Sequence, residues 1–140
     1  MVTSKDCIKK YGTPSITNKN LVLWDVPKYL EIGFIPKKIY CNVDMIKPLT
    51  NAFTNVLSHN CVNEIKTFDG CFNIRNKRGL STPSLHSWGI AIDFNAYENP
   101  LNGKSKWTAQ FVKCFTDAGF DWGGNWISRT DPMHFQLSKI

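Results

Sequence analysis

The sequence predicts an α+β fold, a single small domain with a mostly antiparallel sheet and flanking helices. Three observations lead there. Two stretches repeat apolar residues at helical spacing, several short apolar or alternating runs have the length of strands, and the two types do not follow the regular alternation of a parallel sheet. The chain has 140 residues, of which 42% are hydrophobic and 20% charged. That is enough apolar surface for one core and too little chain for two. The same balance excludes a disordered, collagen-like or coiled-coil chain. The expected organisation is one domain over residues 1–140, with no separate binding domain.

Residues 1–41 are broken by Pro14, Pro27, Gly33 and Pro36 and read as an irregular wrap around the core. From Asp44 the pattern changes. Met45, Ile46, Leu49, Ala52, Phe53, Val56 and Leu57 mark a helix, with Asp44 as N-cap and Pro48 tolerated in the first turn. Residues 62–68 and 71–75 read as short strands around a Phe68-Asp69-Gly70 turn, and Gly79–Ser84 as a loop. Ile90–Phe94 is an apolar run interrupted by Asp93, the pattern of a central strand buried on both faces. A second helix follows Ser105, with Trp107, Phe111, Val112, Phe115 and Ala118 on one face and Gly119 just past its end. Met133–Leu137 alternates apolar and polar residues and reads as a last strand.

Seventeen Lys and Arg against eleven Asp and Glu give a net charge of +6, which predicts attraction to an anionic partner. No recognised nucleic-acid motif accompanies the charge. No apolar run approaches the roughly 18–20 residues that cross a bilayer. The start, Met-Val-Thr-Ser-Lys-Asp, lacks the apolar stretch of a signal peptide, so the expectation is a chain made in a cytoplasm and delivered elsewhere by another agent. Cys7, Cys41, Cys61, Cys71 and Cys114 form no C-x-x-C pair and read as buried thiols, Cys61 and Cys71 being the pair to check for a bridge. His59 follows a helix and reads as a solvated surface histidine.

The chemistry concentrates in Ser84-Leu-His86-Ser-Trp-Gly89-Ile-Ala91-Ile-Asp93 and in Asp131-Pro-Met-His134. A carboxylate in an apolar strand is costly unless it is paired or bound to a cation. A loop histidine, a strand aspartate and a strand histidine make a two-nitrogen, one-oxygen zinc set. Three protein ligands leave the fourth tetrahedral position open, as catalytic sites do. Asp131, three residues before His134, can serve as general base, and Pro132 disfavours the helical H-E-x-x-H arrangement there. Trp122 and Trp126 either wall a groove or pack into the core. Arg75-Asn-Lys77-Arg78 borders the site and can meet substrate carboxylates or simply be solvated.

The pattern S-x-H-x-x-G-x-A-x-D, followed by an acidic residue, two positions and H-F, resembles the signature of the VanY-like zinc peptidases of bacterial cell walls. These are D-alanyl-D-alanine carboxypeptidases and L-alanyl-D-glutamate endopeptidases. The resemblance extends over Tyr40–Leu49, Asp69–Arg75 and Gly119–Trp126, roughly residues 11–137 in all, and is nearest to the phage endolysin branch. It implies a Hedgehog/D,D-peptidase-like zinc peptidase fold and one zinc ion held by His86, Asp93 and His134. It implies Asp131 as the base, Ser84 arranging the ligand loop or substrate, and Arg75 stabilising an oxyanion, with Arg78 near enough to take the same part. Asp131 departs from the glutamate of many relatives and is one methylene shorter. The implied activity is hydrolysis of the L-Ala–D-Glu bond in the peptidoglycan stem by a monomeric endolysin, made in the host cytoplasm and released, with a holin, to the wall. The alternatives are a D-alanyl-D-alanine carboxypeptidase and a zinc-stabilised wall-binding module without turnover.

Overall fold

The computed structural model describes residues 1–140. Helix α1 (Ser4–Tyr11) opens the chain, followed by strands β1 (Leu21–Asp25) and β2 (Lys38–Asn42), helix α2 (Ile46–Ser58) and strand β3 (Phe68–Gly70). Strand β4 (Ala91–Phe94), helix α3 (Ala109–Thr116) and strands β5 (Phe120–Trp122) and β6 (His134–Leu137) complete it. β1 and β2 form a two-stranded antiparallel sheet, and the other four strands form an antiparallel sheet in the order β3-β4-β6-β5. Helices and antiparallel sheets mix as the α+β expectation requires.

The first 41 residues are more regular than expected. α1 is closed by a capping box, in which Thr3 accepts from the Asp6 amide and the Asp6 carboxylate accepts from the Thr3 amide. The hairpin prolines fall outside the strands, so Pro27 and Pro36 bound β1 and β2 without interrupting the ladder. Asp44 is not the N-cap of the second helix. Asn42 accepts from the Asp44 amide to start a short 3-10 turn that leads into α2. Asp44 instead accepts from the Tyr11 hydroxyl at 2.6 Å and meets Lys10 at 3.1 Å, tying α1 to the start of α2.

Further expectations are corrected. Residues 71–75 form no strand; β3 pairs with β4 because the Asn95 side chain draws the preceding segment onto it, its Oδ1 accepting from the Lys66 and Thr67 amides. α3 begins at Ala109 with Thr108 as N-cap, while Trp107 stacks flat on Phe111 at 4.0 Å just outside the helix. All five cysteines are buried and unbridged. Cys71 lies against the Gly89 carbonyl and Cys61 against the His59 carbonyl, so the Cys61–Cys71 pairing has no basis.

The core joins α2, α3 and one face of the four-stranded sheet. Phe115 is its hub, packed against Phe53, Phe94, Phe111, Phe120 and Phe135 at centroid distances of 4.5–6.2 Å. Each such burial is worth about 1.5–3 kcal/mol. The aromatic wall holds the sheet rigid, and the site is built on the sheet's opposite face.

The sharpest backbone constraint is Gly89, which ends the 3-10 turn Leu85–Trp88 in the left-handed region at φ 69°. A Cβ there would stand 2.7 Å from the Asn42 amide nitrogen, which itself donates to the Gly89 carbonyl. Gly89→Ala is therefore expected to destabilise the fold by at least about 1–3 kcal/mol, measured by urea unfolding. An unchanged midpoint would show that the two segments can part without cost.

Candidate metal centre and its cleft

β4 and β6 run side by side with Asp93 directly opposite His134 and Ala91 opposite Gln136. Cross-strand partners share a face and alternate residues change face. Asp93, His134 and Gln136 therefore look into the cleft, while Ile92, Phe94, Phe135 and Leu137 look into the aromatic core. The polar face is buried as well, because loops cover it.

Asp93 Oδ1 lies 3.1 Å from His134 Nδ1 and 3.2 Å from His86 Nε2. His86 comes from the 3-10 turn before β4, started by Ser84, whose hydroxyl accepts from the His86 amide. The outer nitrogens are occupied. His86 Nδ1 is 2.8 Å from the Cys71 carbonyl, and His134 Nε2 is 2.9 Å from Gln136 Oε1. Both partners are acceptors, so each ring, when neutral, carries its proton on the outer nitrogen and turns a lone pair towards Asp93. Two lone pairs facing a carboxylate repel unless a cation or proton stands between them. His86 Nε2 is accordingly a buried atom without a hydrogen-bond partner.

The donor set fits zinc. The three ligand atoms lie within 4.8 Å of one another. Tetrahedral zinc with bonds near 2.0–2.1 Å separates neighbouring ligand atoms by about 3.3 Å, close to the 3.1 and 3.2 Å from Asp93. The outer hydrogen bonds that the rings donate to Cys71 and Gln136 are of the kind that orient metal-binding histidines.

Asp131 Oδ2 is 3.9 Å from His134 Nδ1, and its Oδ1 is buried without a partner. Its main chain is held closely. The Asp131 amide donates to the Gly123 carbonyl at 2.9 Å, and a Cβ on Gly123 would run into the Asp131 carbonyl. The next residue is pinned twice, since the Pro132 carbonyl accepts from both Trp107 Nε1 at 2.9 Å and Trp122 Nε1 at 2.8 Å. Trp122 is thus a support for the segment carrying Asp131 and His134, not a wall of the groove. Trp126 does line the cleft, its ring 5.3 Å from that of His134.

Burial alone would raise the Asp93 carboxyl, but the His134 and His86 imidazoles that face it, when protonated on the inner nitrogen, outweigh burial and hold the pKa well below the usual carboxylate range. Burial pushes the Asp131 carboxyl up, and the Asp93 charge adds to this against the opposing histidines and Arg78. Burial opposes a charge on His134, but Asp93 and then Asp131 overcome it and raise its pKa.

The cleft encloses about 540 Å³ and includes all four of these residues together with Ser84, Arg75, Arg78 and Trp126. Arg75 is stapled to the His86 turn: its carbonyl accepts from the Ser84 amide and the Ser87 hydroxyl, and its amide donates to that same hydroxyl. His59 is exposed and far from this assembly in the fold, beside Asn55. Sequence reasoning gave no site role to Gln136, Gly123, Trp107 or Arg129. Gln136 was open to detection, because it shares the face of His134 two residues along the same strand. The rest depend on contacts between segments far apart in the chain.

Residues 77–137 match the family described as D-alanyl-D-alanine carboxypeptidase. The chain is similar to the peptidoglycan L-alanyl-D-glutamate endopeptidase CwlK of Bacillus subtilis (strain 168), at 33% identity over 66 residues. That match covers 39% of this chain and 39% of the relative's length. A crystal structure of the Serratia marcescens L-Ala D-Glu endopeptidase ChiX is similar over 69% of this chain and 80% of its own, with TM-score 0.45 and 20% identity, too distant a likeness to transfer a function.

The raised His134 pKa has a consequence for the metal-free chain. The ion pair with Asp93 stabilises the fold fully below the unfolded histidine value of about 6.5 and is lost as pH rises through the higher folded value. Chelated protein should therefore melt at a lower temperature at pH 9 than at pH 6, while stoichiometric zinc should raise the melting temperature most at the higher pH, where the His134 imidazole is free to bind it. Calorimetric scans at the two pH values, with and without zinc, check this; a chelated chain more stable at pH 9 would contradict the assigned pairing.

Proposed function

We propose, from the match of residues 77–137 to the family described as D-alanyl-D-alanine carboxypeptidase and from the resemblance of its motifs to the VanY-like zinc peptidases, that the chain is a zinc-dependent endopeptidase cutting the L-Ala–D-Glu bond of the peptidoglycan stem. The observation that carries the reading is the open three-ligand set beside a buried, partnerless carboxylate oxygen. A structural zinc site would close its fourth position with protein and would have no use for Asp131. The endopeptidase bond, in preference to removal of a terminal D-Ala, is supported by the similarity to CwlK.

His86, Asp93 and His134 would hold the zinc. When bound, the ion acts as a Lewis acid that polarises the scissile carbonyl and lowers the pKa of water to about 7. Asp131 takes a proton from the attacking water through Oδ1 and returns it to the leaving amine. Burial makes it a stronger proton acceptor than a solvated aspartate. Trp107, Trp122 and Gly123 hold its main chain in place for the two transfers. Arg75, fixed on the His86 turn, or Arg78, whose charge reaches Asp131, steadies the oxyanion. Ser84 shapes the ligand turn, and Trp126 offers a flat apolar wall to the stem. Water supplies the hydroxyl gained by the Ala carbonyl and the proton gained by the D-Glu nitrogen, so no covalent enzyme intermediate is required.

The basic charge and the sequence pattern of the endolysin branch support a phage protein that meets the wall after release from the host cytoplasm, working as a monomer. D-alanyl-D-alanine carboxypeptidase activity is the second reading, favoured by the family description for residues 77–137.

Mass spectrometry of peptidoglycan fragments tests both. Chelator-sensitive products with new D-Glu amino termini are expected, and loss of terminal D-Ala alone would select the second reading. Intact wall after incubation with zinc-loaded protein would instead indicate a binding module. Asp131→Asn is expected to keep stoichiometric zinc while slowing hydrolysis by about 10²–10⁴-fold. His134→Ala should weaken zinc binding itself, read by competition with a chromogenic chelator; retention of tight, stoichiometric zinc would remove His134 from the ligand set.

A further inference from the structure

One wall of the cleft is cationic and unpaired. Arg75, Lys77, Arg78 and Arg129 line it, and none of them meets a carboxylate. The lysine ion pairs of the chain, Lys10–Asp44, Lys66–Glu98 and Lys113–Asp117, lie elsewhere. The only carboxylates lining the cleft, Asp93 and Asp131, belong to the metal centre.

Within that wall two arginines are organised together across 51 positions of sequence. The Arg129 guanidinium donates through Nη2 to the Arg78 carbonyl, joining the loop after Trp126 to the loop before Ser84. Arg129 holds a left-handed backbone, φ 53°, although it has a side chain. A residue with a side chain holds such a conformation only where the surroundings impose it, and such residues cluster at functional sites. The Arg78 loop is itself closed by Lys77 N–H to the Thr82 carbonyl and by the Asn76–Pro83 bridge. The two loops lead directly into the metal centre, Arg129 two residues before Asp131 and Ser84 two before His86.

We infer that Arg78 and Arg129 form a carboxylate-binding subsite for the residue on the leaving side of the scissile bond, reading the free α-carboxylate of D-Glu. This rests on the endopeptidase reading. In the stem, D-Glu continues through its γ-carboxyl, so its α-carboxylate remains free on the carbon that bears the scissile nitrogen. It therefore lies beside the reaction centre, where the arginine wall adjoins Asp131. Ordinary proteins carry an amide at that position, and stems in which D-Glu is amidated to D-isoglutamine carry a neutral carboxamide. A guanidinium fork matches a carboxylate and has no acceptor to offer the carboxamide nitrogen. The subsite thus discriminates stems by amidation and excludes common peptides.

The test uses zinc-loaded protein and two purified stem peptides that differ only in whether the D-Glu α-position is carboxylate or carboxamide. Wild-type protein is expected to cleave the carboxylate peptide with kcat/KM about tenfold or more above the carboxamide peptide. Arg78→Gln and Arg129→Gln should each pull that ratio towards one, Arg129→Gln chiefly by raising KM for the carboxylate peptide, with zinc stoichiometry and melting temperature serving as folding controls. The wild-type preference should shrink as salt is raised. Cleavage of the Ala–Glu bond at equal rates in both peptides, or an intact ratio in both variants, would overturn the subsite while leaving the endopeptidase reading standing. Release of a terminal D-Ala alone, indifferent to amidation, would overturn that reading and the D-Glu subsite with it.

Discussion

Asp93 keeps an ionised carboxylate at 6% exposure, 3.1 Å from His134 Nδ1 and 3.2 Å from His86 Nε2, and the rest of the structure is arranged to make that burial tolerable. An unpaired buried carboxylate would be strongly unfavourable. Relief comes from two sides. The β4–β6 register sets His134 directly across from it, and the 3-10 turn ended by Gly89 brings His86 over the top. Each imidazole is then oriented by an outer acceptor, Cys71 or Gln136, so that the charge deficit left in the middle can be filled by a cation. Core packing serves the same end, since the phenylalanines behind the sheet fix the register on which the pairing depends.

Much of this was legible in the sequence because it is local. Asp93 within Ile90–Phe94 violates the apolar pattern, and a violation of that kind announces a site. The alternation from Met133 to Leu137 places His134 on one face, and α2 follows from its spacing. The first 41 residues were less readable because their order comes from partners. α1 owes its place partly to Tyr11 reaching Asp44, 33 residues away, and β1 and β2 stabilise each other across an intervening loop containing Gly33 and Pro36. Residues 71–75 have strand-like composition, but their backbone groups are spent otherwise: the Cys71 carbonyl on His86, the Asn73 amide on the His86 carbonyl, and the Arg75 main chain on Ser84 and Ser87. Trp122 shows the same limit. Its composition and neighbouring glycines suit a binding wall equally well, and only the fold reveals that its indole donates to Pro132.

The supports divide by element. The residues proposed as metal ligands and base depend on strand pairing, a capped turn and two indole donors converging on one carbonyl, all of which resist displacement. A small error there is costly, because a metal centre and a proton acceptor must hold their separation through the reaction. The cations sit on exposed loops with fewer restraints, where the principal tie between them is the single hydrogen bond from Arg129 to Arg78. Loops of that kind can differ in sequence without disturbing the sheet. In the proposed reading the metal ligands and the base thus rest on the sheet, whereas the cations that face the substrate rest on the loops. Ser84 and Asp131 are the junctions between those loops and the sheet, held by main-chain contacts to Arg75 and Gly123.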